Sequence, residues 1–194
     1  MSLNILLCGV GGQGIVLASR ILATAAMNRG QNVLSAETIG MAQKGGSVFS
    51  HVRVGDKIES PMISLGEADI IIGFEPAEAA RMMPYLREGG SVVVCSDPVM
   101  PALASLTGNT YSGDEMITYI RKKAGTVTVV AGNERCRKAG SPKVLNLIML
   151  GEAVRCGELG FTMDEIKEAL RQKVKPEFLE LNMKALEQQG GVIW

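Results

Sequence analysis

The stretch Ile5-Leu6-Leu7-Cys8-Gly9-Val10-Gly11-Gly12-Gln13-Gly14 decides the fold, because an apolar run turns on glycines and hands over to a second apolar segment at residues 15–26. The first run has the length of a buried strand and the second that of a helix. A strand that turns into a helix leaves several backbone N–H groups directed at one spot, with the positive end of the helix dipole behind them. That arrangement attracts an anion such as a phosphate. Gly9, Gly11 and Gly14 stand at G-x-G-x-x-G spacing, which serves a tight turn, close backbone approach and helix–strand packing in dinucleotide-binding folds. A nucleoside-triphosphate loop is excluded, since Ile15 and Val16 follow where lysine and a hydroxyl residue are required. The plain alternative is that the glycines only let helix and strand pack closely, with no ligand.

Outward from this turn, β-branched runs recur at residues 4–8, 32–36, 69–74, 91–95 and 126–131. Near-continuous Ile/Val/Leu runs suit parallel strands buried on both faces. Between the first two, Ile15, Ala18, Leu22 and Ala25 share one helical face with Ile21 beside them, and residues 76–86 open a helix on Pro76. Residues 47–54 alternate Val48, Ser50, Val52 and Val54 against Phe49, His51 and Arg53, and Gly55-Asp56 then reads as a two-residue turn into Lys57-Ile58. After Gly132 the pattern is helical: residues 141–156 start on Ser141-Pro142, residues 162–172 on Thr162 and Glu165 at capping-box spacing, and a last helix spans residues 176–189. The expected fold is α/β, a Rossmann-like doubly wound, mostly parallel sheet with an inserted antiparallel β-hairpin and a helical C-terminal segment. One domain over residues 1–194 is expected, with an α/β core at 1–132, the hairpin near 47–66 and the helical part at 133–194.

Composition narrows the function classes. The 194 residues are 46% hydrophobic and 21% charged, with 20 basic against 20 acidic side chains and no basic run longer than Arg121-Lys122-Lys123. Nucleic acid and anionic membrane surfaces need a concentrated positive field and are poor partners. No apolar run approaches the roughly 20 residues that span a bilayer, and no cleavable signal precedes the first strand, so the chain reads as cytoplasmic. Cys8, Cys95, Cys136 and Cys156 form no C-x-x-C pair and His51 is the single histidine, so no iron–sulfur or zinc site is expected. Cys8 and Cys95 read as buried reduced thiols.

Ligands of open α/β sheets bind beyond the carboxyl ends of the strands. Those ends deliver residues 9–14, Glu37, Glu75, Asp97 and Asn133 to one edge. Glu75, Asp97 and Asn133 have the alternative of capping helices or turns. Glu37 could bind a ribose hydroxyl, but it lies further from the glycine turn than the about 20 residues of the nicotinamide fingerprint. Gln43-Lys44-Gly45-Gly46 brings a cation and backbone amides towards the first loop, or is a flexible turn. No catalytic residue set is expected, because a lone histidine in a strand supports no Ser-His-Asp or Cys-His arrangement.

Taken with Gly40-Met41-Ala42-Gln43-Lys44-Gly45-Gly46-Ser47-Val48, Ser50-His51-Val52-Arg53, Ser60-Pro61, Gly73-Phe74-Glu75-Pro76, Gly140, Asn146 and Met149-Leu150-Gly151, the glycine loop resembles one known family. It is that of the beta subunit of indolepyruvate:ferredoxin oxidoreductase and the gamma subunit or domain of the pyruvate and ketoisovalerate ferredoxin oxidoreductases. The resemblance covers nearly the whole chain. It departs at Lys44, where the family has arginine; lysine keeps the charge but loses the planar fork. The resemblance implies anaerobic oxidative decarboxylation of an aryl 2-oxo acid, with coenzyme A and ferredoxin, to an acyl-CoA. It also implies a hetero-oligomer in which thiamine diphosphate and iron–sulfur clusters lie in the alpha subunit, ferredoxin being met through the complex. The implied role of this chain is to close the partner's thiamine site and to offer Gly9, Gly11, Gly12, Gln13 and Gly14, with Gln43, Lys44, Gly45 and Gly46, to coenzyme A or another anion. Two other readings stand beside it: an independent NAD(P)-dependent oxidoreductase, and a ligand-free scaffold subunit.

Overall fold

A computed structural model describes residues 2–39, 45–100 and 111–194. In chain order the elements are β1 (Leu3–Val10), α1 (Ile15–Asn28), β2 (Val33–Ile39), β3 (Ser47–Val54), β4 (Ala68–Gly73), α2 (Pro76–Met82) with a 3-10 turn at Met83–Tyr85, and β5 (Leu86–Cys95). They continue with α3 (Gly113–Arg121), β6 (Thr126–Val130), α4 (Gly132–Ala139), a 3-10 turn at Pro142–Val144, α5 (Leu145–Arg155), α6 (Met163–Lys173), α7 (Pro176–Glu187) and β7 (Val192–Ile193).

The sheet runs in the order β2-β3-β1-β4-β5-β6-β7. β1, β4, β5 and β6 pair in parallel, while β3 is antiparallel to both β1 and β2, and β7 is antiparallel to β6. Five of the seven strands therefore point the same way, as the sequence pattern demands. The antiparallel excursion is real, but its partner differs from the expected one. Lys57-Ile58 forms no strand; the hairpin is instead β2 with β3, and β3 is wedged between β2 and β1. The two residues before Glu59-Ser60-Pro61 are too few to bury an alternating face, and Pro61 has no N–H to donate. β1 offers an eight-residue partner, from Leu3↔Val54 to Val10↔Ser47.

Alternation along the strands sorts the core into two layers. Leu6, Cys8, Ile71, Val92 and Val94 face α2 and α3, meeting Ala79, Met82, Ile117 and Ile120. Ile5, Leu7, Ile70, Ile72, Val93 and Cys95 face α1 and the C-terminal helices, meeting Ile15, Ala18, Ile21, Leu22, Leu147, Ile148 and Leu170. The α1 stripe is the one its sequence periodicity marks. α6 opens on the expected capping box, with Thr162 Oγ1 accepting from the Glu165 N–H and the Glu165 carboxylate accepting from the Thr162 N–H.

His51, on β3, is fully buried between the rings of Phe49 and Tyr85, and its Nδ1 accepts from the Ile63 N–H at 3.1 Å. Burial pushes its pKa below the ordinary value. The unfolded chain then takes up a proton that the fold resists, so stability is full above about pH 6.5 and falls as the pH drops below it. Urea titrations at pH 7.5 and 5.5 are expected to show this loss, with a slope no steeper than about 1.4 kcal/mol per pH unit from one proton. In His51→Gln the histidine part of the loss disappears.

Candidate functional site

The glycine loop joins β1 to α1, and each glycine is fixed by a distinct contact. A Cβ on Gly9 would lie 2.8 Å from the Phe74 Cβ and 2.5 Å from the Gln13 Oε1, so β1 and β4 approach only over hydrogen. Gly14 caps α1 at φ 81°, and a Cβ there would meet the Asn146 Nδ2 at 2.7 Å. The left-handed backbone and the close approach both require glycine.

Part of the loop's hydrogen-bonding capacity is directed inward. The Val10 N–H donates to the Gln13 Oε1 at 2.8 Å, and the Gln13 Nε2 donates to the Phe74 carbonyl at 2.9 Å. Gln13 thus ties the carboxyl ends of β1 and β4 together, at the place where a dinucleotide diphosphate crosses in a Rossmann fold. The Gly11 N–H donates to the Gly46 carbonyl at 2.8 Å, and Gly45 returns a bond to the Gly11 carbonyl at 3.3 Å. No described residue accepts from the amides of Gly12, Gly14, Ile15 and Val16. Those residues, with Val10, Gly11 and Val48, line a cavity of about 320 Å³. The cavity combines the start of a fourteen-residue helix with free N–H groups, and both favour an anion.

The other expected site residues divide. Gly45 and Gly46 meet the first loop, whereas Gln43 and Lys44 lie outside the described residues. Glu37 sits on β2 and is engaged by the Ser19 hydroxyl at 3.4 Å and Arg20 at 3.8 Å. Glu75 is buried as the N-cap of α2, accepting from the Glu78 N–H at 2.8 Å and from the Tyr111 hydroxyl. Asp97 accepts from the Asn133 N–H at 2.8 Å, which makes it a remote cap for α4. These three carboxylates lie at or near strand ends, and each has a local structural partner.

Two neighbours were not expected from the sequence to be site residues. Glu78 is buried beside the loop strand, accepting from the Ser47 hydroxyl at 2.6 Å. Asn146 donates to the Gly14 carbonyl at 3.4 Å, while its buried Oδ1 has no partner among the described residues. The asparagine stands in the family pattern, but only the fold brings it to the glycine turn, 132 residues away in sequence.

The thiols at the strand ends are held neutral. Burial, and then the charges of Glu78 and Glu75, push Cys8 far above the ordinary thiol range; burial, with smaller opposing contributions at Asp97, pushes Cys95 up to about 12. Neither is a nucleophile at neutral pH. Among the described residues no three His, Cys, Asp or Glu side chains gather as a metal site, and no helix is long and apolar enough to cross a membrane.

Comparison with known proteins adds the following. The model of the family Pyruvate ferredoxin/flavodoxin oxidoreductase matches residues 4–189. Indolepyruvate oxidoreductase subunit IorB of Archaeoglobus fulgidus is 40% identical over 96% of this chain and 92% of its own length. Among solved structures, the pyruvate oxidoreductase subunit PORC of Thermotoga maritima superposes with a TM-score of 0.74 at 21% identity, over 99% of this chain and 98% of its own. A 2-oxoglutarate:ferredoxin oxidoreductase of Magnetococcus marinus, solved with 2-oxoglutarate, coenzyme A and succinyl-CoA bound, matches with a TM-score of 0.72 at 21% identity. There this chain corresponds to 96% of its own length and to 30% of the longer polypeptide.

Proposed function

The chain belongs to the pyruvate ferredoxin/flavodoxin oxidoreductase family as a subunit of a 2-oxo acid:ferredoxin oxidoreductase, and from that premise we propose that it is the non-thiamine, non-cluster subunit of an indolepyruvate-type enzyme. It closes the partner subunit's active site and offers the cavity at Gly12, Gly14, Ile15 and Val16 to the phosphates of coenzyme A. Its substrate is an aryl 2-oxo acid, a reading supported by the 40% identity to an indolepyruvate oxidoreductase subunit. Decarboxylation and electron transfer need a carbanion-stabilising cofactor and a redox centre, and the large subunit supplies both. This chain's own contribution is binding and enclosure.

The observation that carries the reading is the set of loop amides without a partner among the described residues, placed on a cavity beside a closed β1–β4 crevice. An NAD(P)-dependent oxidoreductase fits less well, since Gln13 occupies the dinucleotide crossing and Glu37 is held by Ser19 and Arg20. Calorimetric titration separates the readings: coenzyme A binds and NADH does not. Gly11→Val, which puts a branched side chain on the cavity wall, raises the half-saturating coenzyme A of the reconstituted complex about tenfold, equivalent to roughly 1.4 kcal/mol. An unchanged requirement in a folded variant leaves the loop purely structural, and tight NADH binding reverses the assignment.

A further inference from the structure

A second concavity, of about 600 Å³, opens beside the glycine loop, since Leu17 of the first turn of α1 forms one of its walls. Its floor is apolar. Val174 and Leu181 contribute to it, and the Phe178 side chain remains 51% exposed there. Three lysines are among its lining residues: Lys143, Lys173 and Lys175. Among the described residues no carboxylate lies within ion-pair distance of any of the three, whereas Lys138 and Lys167 in the same helical layer are both paired.

The positions of two of these lysines work against the helices that carry them. Lys175 is the N-cap of α7, and Lys143 lies in the turn that leads into α5. Helix starts favour serine, threonine, aspartate or asparagine, and the dipole there repels a cation. Lys173, in the last turn of α6, suits its own helix and lines the same groove. Glu177 in the first turn of α7 offsets part of this charge, but among the described residues no ion pair neutralises any of the three lysines, which leaves the groove open to an external counterpart.

We propose that this groove docks the large partner subunit, through an acidic segment whose projecting apolar side chain fills the space over Phe178. The proposal rests on the subunit reading above. Charge complementarity selects the acidic segment, and the apolar floor selects the side chain at its tip. Small-ligand sites carry polar groups that converge inside the cavity. Here Asn182, the buried polar residue of the lining, donates instead to the Phe178 carbonyl of its own helix at 2.7 Å. The cationic surface also continues past Ser141 to Arg137, which lines an adjoining hollow and likewise has no carboxylate partner among the described residues. That extent suits a protein surface. Docking at this place sets the partner against the first turn of α1, over the glycine-loop cavity.

The test is a titration of the full-length chain against its cognate large subunit. Four forms are compared: wild type, the triple variant Lys143→Glu/Lys173→Glu/Lys175→Glu, Phe178→Ser, and a control, Lys122→Glu/Lys123→Glu, on the opposite face of the sheet. Circular dichroism confirms that each is folded. The triple variant is expected to weaken the complex about 30-fold and Phe178→Ser about tenfold, with the control within about twofold and the wild-type affinity falling as salt is added. Groove variants that bind like wild type overturn the proposal. So does a loss of coenzyme A binding by the free groove variants with their partner affinity intact, which reassigns the groove to a small ligand. A wild-type chain that forms no complex with the large subunit removes both this proposal and the subunit reading.

Discussion

Glu152→Ala lowers the free energy of unfolding by about 3–5 kcal/mol, the usual cost of breaking a buried ion pair from one side. For a chain of this size that is a fall of roughly 6–20 °C in melting temperature, read by calorimetry. The carboxylate sits on α5, 5% exposed, between two guanidiniums. Arg135 from α4 approaches it at 2.5 Å and Arg155 at 3.1 Å. Both arginines also donate to the Gln188 carbonyl, and the Gly191 N–H reaches the same carboxylate at 3.3 Å. One side chain therefore joins two helices to the segment that delivers β7 to the sheet edge. Burial pushes the Glu152 pKa up, but the hydrogen bonds from Arg155 and Arg135 outweigh it and hold the group below the ordinary carboxylate value. Alanine leaves Arg135, itself 4% exposed, as an uncompensated charge. Two controls isolate the cause. Glu152→Leu with Arg135→Met recovers most of the loss, because the buried unpaired charge is gone and the Arg155 side chain, 23% exposed, reaches solvent. Asp164→Ala, at a solvated pair with Lys167, changes stability by less than about 1 kcal/mol.

The strands and the winding of the sheet are legible in the sequence because parallel strands buried on both faces declare themselves as continuous apolar runs. α1 is legible from its stripe, and α6 from Thr162 and Glu165. What escapes is set by distant partners. Residues 47–54 announce a strand, yet the choice between Lys57-Ile58 and β1 as its neighbour is made by tertiary packing. β7 has two residues and hence no period; Arg135, Glu152 and Arg155 place it. α3 buries Ile117 and Ile120 but is nine residues long, too short for its pattern to stand out. At the site, the glycine spacing locates the loop and suggests an anion. It does not show that the residue between Gly12 and Gly14 closes the crevice, because the bonds of Gln13 run to Val10 and to Phe74, 61 residues away.

The second large effect is all-or-none: supplied with an aryl 2-oxo acid, coenzyme A and a viologen dye, the chain alone turns over no substrate. Acid–base chemistry requires a titratable group free to move a proton at the reacting atoms. The histidine is buried in β3, between two aromatic rings and beneath the Ile63 amide. Glu75 caps α2 and binds Tyr111, Glu78 holds Ser47, and the thiols of Cys8 and Cys95 stay protonated. Among the described residues of the glycine loop, what remains open to a ligand is a row of backbone amides, which can hold a phosphate and carry no chemistry of their own.

The most direct measurement is dye reduction under anaerobic conditions, with the purified chain alone, with the large subunit alone, and with the two combined. No reduction is expected from this chain alone, and sustained, coenzyme A-dependent reduction from the combined subunits. Steady turnover by this polypeptide without its partner would contradict the subunit reading.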